Sequence, residues 1–192
     1  QILVAGARKD EYDGSNTGTA YVLQRNPDDP GIWDHLVKLV PEDGGSSDDF
    51  GHAVAISRDA ERIVVGSIHN RNGNASTGSA YVFVRNDEPD QPAYVLEQKL
   101  WPSDGANDDE YGRSVAIDGD YVLVGAPRHW PENKRSGAVY LYKGIPSGSG
   151  GKSWELVDKY IAAGGDNGDE FGHSVAIAGE AFAAGAPLDE EN

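Results

Sequence analysis

The chain has 192 residues, 38% of them hydrophobic and 25% charged, an ordinary composition for a globular fold, and no run of about eighteen apolar residues crosses a membrane as a helix. Its formal net charge of -16 excludes the basic surface that nucleic-acid backbones demand and favours basic proteins or cations as partners. Without cysteine there is neither disulfide nor thiolate metal site; without methionine, and with Gln1 leading straight into an apolar run, the chain reads as a processed or partial piece of something longer.

In chain order, apolar blocks bounded by Gly, Pro, Asp or Asn predict short strands. The first three lie at 2–6, 17–22 and around 36–39. A new block, Phe50-Gly51-His52-Ala53-Val54-Ala55-Ile56, follows, and then the first three return at 63–67, 77–82 and 97–100. The cycle repeats at 111–117, 122–126, 136–141 and 157–160, and opens again at 171–177 and 182–186. Phe50, Tyr111 and Phe171 head the new block and stand 61 and 60 residues apart. We call the strand headed by these aromatics a, and its successors b, c and d.

Strands a to c are nearly continuous apolar runs, which predicts strands covered on both faces. Strand d carries Lys, Glu and Asp, as suits an exposed edge. The a–b connections at 57–62, 118–120 and 178–180 are short enough for hairpins. No helical periodicity persists, so the chain is predicted to be all-β. A repeated four-stranded antiparallel unit with a buried inner strand is a β-propeller blade. The approximate units are 1–49, 50–110, 111–170 and 171–192, about three blades in one repeat domain.

These residues resemble the FG-GAP repeat family of integrin α-type propellers. The first half of the motif is Phe50-Gly51, Tyr111-Gly112 and Phe171-Gly172; the second is Gly125-Ala126-Pro127 and Gly185-Ala186-Pro187, with degenerate forms at 66–68 and 5–7. The resemblance implies a seven-bladed ring, an extracellular location and a role in adhesion or ligand recognition. The calcium loop that integrin-type blades carry in the a–b hairpin does not transfer, because these hairpins are too short and too poor in carboxylates.

Acidic residues precede each aromatic: Asp48-Asp49, Asp109-Glu110 and Asp169-Glu170, with Asp104, Asp108 and Asp166 upstream. Clustered oxygens of this kind suit calcium. They equally suit turns in which Asp accepts backbone N–H bonds. Two residues after each aromatic stand His52, Arg113 and His173, a set predicted to line the channel mouth and counted among candidate ligand contacts.

The b–c loops, 8–16, 69–76 and 128–135, vary most and are placed at the same end as the d–a loops. Arg128, His129 and Trp130 with Lys134 and Arg135 offer cations and an aromatic platform for a carbohydrate or an acidic peptide. The alternative is an ordinary loop with Trp130 packed on its own blade. Asn74-Ala75-Ser76 is the one glycosylation sequon.

The leading expectation is a non-enzymatic extracellular module that binds protein or carbohydrate through these loops. The alternatives are a self-assembling element of a surface appendage or matrix, and part of a secreted propeller hydrolase or lyase. No catalytic motif recognisable from sequence is present, so no catalytic residue is assigned.

Overall fold

The computed structural model describes residues 1–12, 16–131, 134–148 and 151–190. Parts of the predicted loops 8–16 and 128–135, namely 13–15 and 132–133, lie outside the described residues, as do 149–150 and 191–192. No α-helix occurs among the described residues.

Among the described residues thirteen strands form four antiparallel sheets. The first sheet holds β1 (Ile2–Ala7), β2 (Thr19–Arg25) and β3 (Trp33–Leu39). The second holds β4 (Phe50–Ile56), β5 (Arg62–Ser67), β6 (Ser79–Arg85) and β7 (Tyr94–Leu100) in that spatial order. The third repeats it with β8 (Ser114–Asp118), β9 (Tyr121–Ala126), β10 (Ala138–Pro146) and β11 (Lys152–Tyr160). The last pairs β12 (Ser174–Ala178) with β13 (Ala181–Gly185). Consecutive sheets are blades of a β-propeller, and β4, β8 and β12 lie side by side at the inner edge.

Alternation along each middle strand explains why it reads as a continuous apolar run. Ile63 and Val65 of β5, with Tyr81 and Phe83 of β6, pack toward the first sheet against Ala20, Val22 and Leu39. Val64 and Val82 point the opposite way, into the layer formed with Val115, Val122, Val124 and Tyr140 of the third sheet. One blade therefore contributes to two hydrophobic layers, and its two faces are covered by different neighbours.

The motif residues make the joint between blades. Gly6, Gly66 and Gly125 of the b strands lie against Gly51, Gly112 and Gly172 of the next blade so closely that a Cβ would run into the carbonyl oxygen opposite. Gly112 also sits at φ 90°, a left-handed conformation that only glycine adopts cheaply. Parallel bridges Gly18–Phe50, Gly78–Tyr111 and Gly137–Phe171 tie the start of each a strand to the preceding c strand. The left-handed glycine breaks the ladder, so β8 and β12 begin at Ser114 and Ser174, three residues after the aromatics that head the sequence block.

A second tie runs along the outer strands. Glu97 on β7 accepts two bonds from Arg62 at 2.9 Å, one from Trp154 Nε1 at 2.9 Å and one from the Lys152 N–H at 2.8 Å, the last two across to the third blade. Gln98 exchanges two bonds with the Trp154 backbone, at 2.9 and 2.8 Å. Tyr94 and Trp154 are buried in the blades, as blade packing requires, whereas Trp33 is 37% exposed.

Candidate functional site

The d–a and b–c loops meet at one end, as strand alternation predicts. Their backbones are joined by the same bond at each step: Ser47 N–H donates to Asn16 O at 3.0 Å, Asp108 N–H to Ser76 O at 3.0 Å, and Gly168 N–H to Arg135 O at 2.9 Å. Asn107 and Asn167 add a side-chain copy, accepting from Ser76 N–H at 2.8 Å and Arg135 N–H at 2.7 Å. Gly6 to Thr17, Gly66 to Thr77 and Gly125 to Ser136 are equal steps, so these b–c loops vary in side chains and not in length.

The acidic residues divide into distinct roles. Asp48, Asp109 and Asp169 are buried, and each closes its own turn by accepting a backbone N–H, from Gly45 at 2.7 Å, Ala106 at 2.8 Å and Asp166 at 2.6 Å. Asn70 and His129 supply a second bond to the first two, at 2.8 and 2.7 Å. Burial raises the Asp48 carboxyl above the ordinary carboxylate range, against the pull of Gly45 N–H and Asn70. Asp109 keeps one buried oxygen without a partner.

The next position, Asp49, Glu110 and Glu170, takes a left-handed backbone in every repeat (φ 58, 56 and 59°) and carries the ion pairs. Glu110 holds both Arg113 at 2.9 Å and Arg128 at 2.7 Å, and Glu170 holds His173 at 2.8 Å. Asp49, one methylene shorter, pairs with Arg8 at 3.5 Å and leaves His52 Nδ1 buried without a partner. Burial, then the charges of Arg113 and Arg8, push His52 down to about 4, so its imidazole is neutral at pH 7.

Further along the loops, Asp104 takes the Tyr140 hydroxyl at 3.1 Å and Lys159 at 2.5 Å, the counterpart of Asp43 with Tyr81 at 2.8 Å and Lys99 at 2.5 Å. For both aspartates burial acts upward, and the lysine and tyrosine more than reverse it, leaving their carboxyls below the ordinary range. Asp108 contributes its backbone to the loop joint, and Asp166 pairs with Lys134 at 3.0 Å. The seven aspartates considered for calcium are thus spread over separate loops. Among the described residues no group of three or more His, Asp or Glu is gathered as a metal site.

The cationic platform is present in part. Trp130 is 53% exposed, and the Arg135 guanidinium lies 5.9 Å from its ring centre. Arg128 is anchored by Glu110, and Lys134 reaches Asp166 and the Gly165 carbonyl at 3.2 Å. His129 departs from the expectation of a ligand contact. It is 5% exposed, with Nδ1 on Asp109 and Nε2 2.6 Å from Lys159 Nζ. An ammonium can only donate, so Nε2 accepts and Nδ1 carries the hydrogen donated to Asp109. The ring is a structural spacer in the position that Asn70 fills one blade earlier.

Asn74 of the sequon is exposed at the tip of the turn bridged between Asn72 and Ala75. Sequence reasoning missed a cleft of about 500 Å³ beside that turn, where exposed Trp101 faces Asp43, Arg71 and Lys99. Val40 and Ile161 stand at the repeat positions equivalent to Trp101, and that departure from the repeat was the available signal.

The FG-GAP repeat model matches residues 33–83, 94–142 and 154–192. The first two matches each open on strand d and close on strand c of the next blade, so the repeat unit straddles the glycine joint. No curated protein matches. Among solved structures, the crystal structure of Sqt1 from Chaetomium thermophilum is 15% identical, with a TM-score of 0.49 over 86% of this chain and 34% of that one. The chain therefore spans about a third of that protein's length. With three matches that together cover most of its residues, the chain belongs to the FG-GAP repeat family.

Proposed function

We propose that this propeller segment is a non-enzymatic recognition and adhesion module that works outside the cell and takes protein or carbohydrate on the face bearing its d–a and b–c loops. One observation carries the reading: three b–c loops of equal length are held by identical backbone bonds, yet present Glu11, Arg71 and Trp130 at equivalent positions. A constant frame with different side chains is how a scaffold offers recognition surfaces. The exposed Trp130 with Arg135 beside it is the kind of aromatic and cationic pair enriched in binding hot spots.

Arrays of glycans and of extracellular proteins, probed with the intact protein and with the double variant Trp130→Ala/Arg135→Ala, test this. Specific retention that the double variant loses is expected. A protein retained by nothing on either array, or retained equally by the variant, would overturn the proposal.

A further inference from the structure

We propose that the cleft beside the second blade's b–c loop binds a neutral saccharide, an inference that rests on the recognition role above and names its ligand class. The cleft holds about 500 Å³, inside the range typical of small-molecule sites, roughly 300–1,000 Å³. It lies between the turn at 71–77 and the two d–a loops that bring in Asp43 and Trp101.

Within the cleft an acid and an ammonium are paired: Lys99 Nζ lies 2.5 Å from Asp43, whose other oxygen takes the Tyr81 hydroxyl at 2.8 Å, and Arg71 on the turn adds a second cation. Lys99 is also placed over the Tyr81 ring, 5.5 Å from its centre, so the donor and acceptor are fixed side by side. A carboxylate retains acceptor capacity beyond two bonds, and an ammonium has three N–H donors. Vicinal hydroxyls, each able to donate and accept, match such a pair without disturbing its charge. A cation would meet Lys99 and Arg71, and a carboxylate would have to displace Asp43 to reach Lys99.

The wall supplies the other half of the recognition. Trp101 is 52% exposed and is followed by buried Pro102, which fixes its backbone. An indole face held against water is apolar and electron-rich, and suits the C–H face of a pyranose ring. A peptide anchor would need a deep apolar pocket, and the apolar lining here is Trp101, Pro102, Ala75 and the Thr77 methyl group. The third blade lacks the full combination. It repeats the acid, lysine and tyrosine as Asp104, Lys159 and Tyr140, but Ile161 replaces the indole and Lys159 is engaged by His129.

The test is saturation-transfer NMR on the intact protein with the methyl glycosides of glucose, galactose, mannose and N-acetylglucosamine. At least one should show transfer, with affinity at least tenfold weaker in Trp101→Ala and largely kept in Trp101→Phe and Trp130→Ala. Urea midpoints of the variants, expected to match the parent because Trp101 is exposed, establish that they fold. No transfer from any of the four, or transfer unchanged in Trp101→Ala, overturns the saccharide site. If the arrays still retain a protein partner in that case, the recognition role stands while this inference falls.

Discussion

Replacing Gly66 by alanine tests whether paired glycines set the spacing between blades. A Cβ on Gly66 would lie 2.9 Å from the Gly112 carbonyl carbon, 3.3 Å from its Cα, and closer still to its oxygen. All three atoms are backbone, so no side chain can swing aside. Gly66 is not in the left-handed region, so the whole cost is steric. Relief requires the third blade to back away, which thins the layer of Val64, Val82, Val115 and Val124. Overpacking costs about 1–3 kcal/mol where side chains give way, and a backbone collision belongs at the top of that range. Gly119→Ala is the control: its hairpin glycine has φ 56° but nothing within 4 Å, so only the left-handed penalty of about 1 kcal/mol applies. With a urea dependence of about 2 kcal/mol per molar, Gly66→Ala should lower the midpoint by about 1.5 M and Gly119→Ala by about 0.5 M. Far-ultraviolet circular dichroism against urea reads both. Equal shifts, or a larger one at Gly119, would show that the blades do not depend on the glycine contact.

Glu97→Ala strips Arg62 of its bidentate partner and removes two bonds to the third blade; because the two side chains are only 12% and 5% exposed, a loss of about 3 kcal/mol in urea unfolding is expected, and a change near zero would demote this tie. His129→Ala should cost about 1–3 kcal/mol by leaving fully buried Asp109 short of a donor, and His129→Asn should recover most of it, because Asn70 serves Asp48 in the same way. If the asparagine variant is as unstable as the alanine one, the ring has another role. For His52 the folded value of about 4 lies below the unfolded 6.5, so between those limits the unfolded chain binds a proton that the folded chain refuses. Stability therefore falls as pH drops through that window, and His52→Gln should flatten the fall; parallel curves of urea midpoint against pH for the two proteins would rule this out.

The strands were legible because each block is apolar on two faces and bounded by turn residues, and every predicted block lands on a strand. The d strands were read too short. Exposed polar residues, such as Asp34 and His35 in β3 and Glu155 in β11, separate the buried ones and leave no long apolar run, while β3, β7 and β11 begin at Trp33, Tyr94 and Lys152. Trp33, Tyr94 and Trp154 thus belong to the strands themselves. The acidic loops were legible as turns from their composition. Which oxygen each carboxylate offers, and to whom, depends on contacts between residues 20 to 56 positions apart. His129 shows the difficulty: beside Arg128 and Trp130 it reads as exposed, and only Asp109 from the d–a loop and Lys159 from β11 show that it is enclosed. Trp101 was passed over because comparing repeats draws attention to what recurs.

That last miss bears on how such repeats acquire function. The recurring positions are already committed: Gly66 and Gly112 to each other, Tyr111 to the core, Asp48 and Asp109 to their own turns, Glu110 to two arginines. A substitution at any of them opens a joint or strands a buried charge, so none is free to be tuned for a ligand. The positions between them, filled by Glu11, Arg71 and Trp130 in the b–c loops and by Val40, Trp101 and Ile161 in the d–a loops, face outward on a backbone whose bonds do not involve their side chains. Changing them leaves the frame untouched. On the recognition role proposed above, specificity belongs where the repeats disagree, and the second blade, with Trp101 set against Asp43 and Lys99, is where the disagreement is chemically most pronounced.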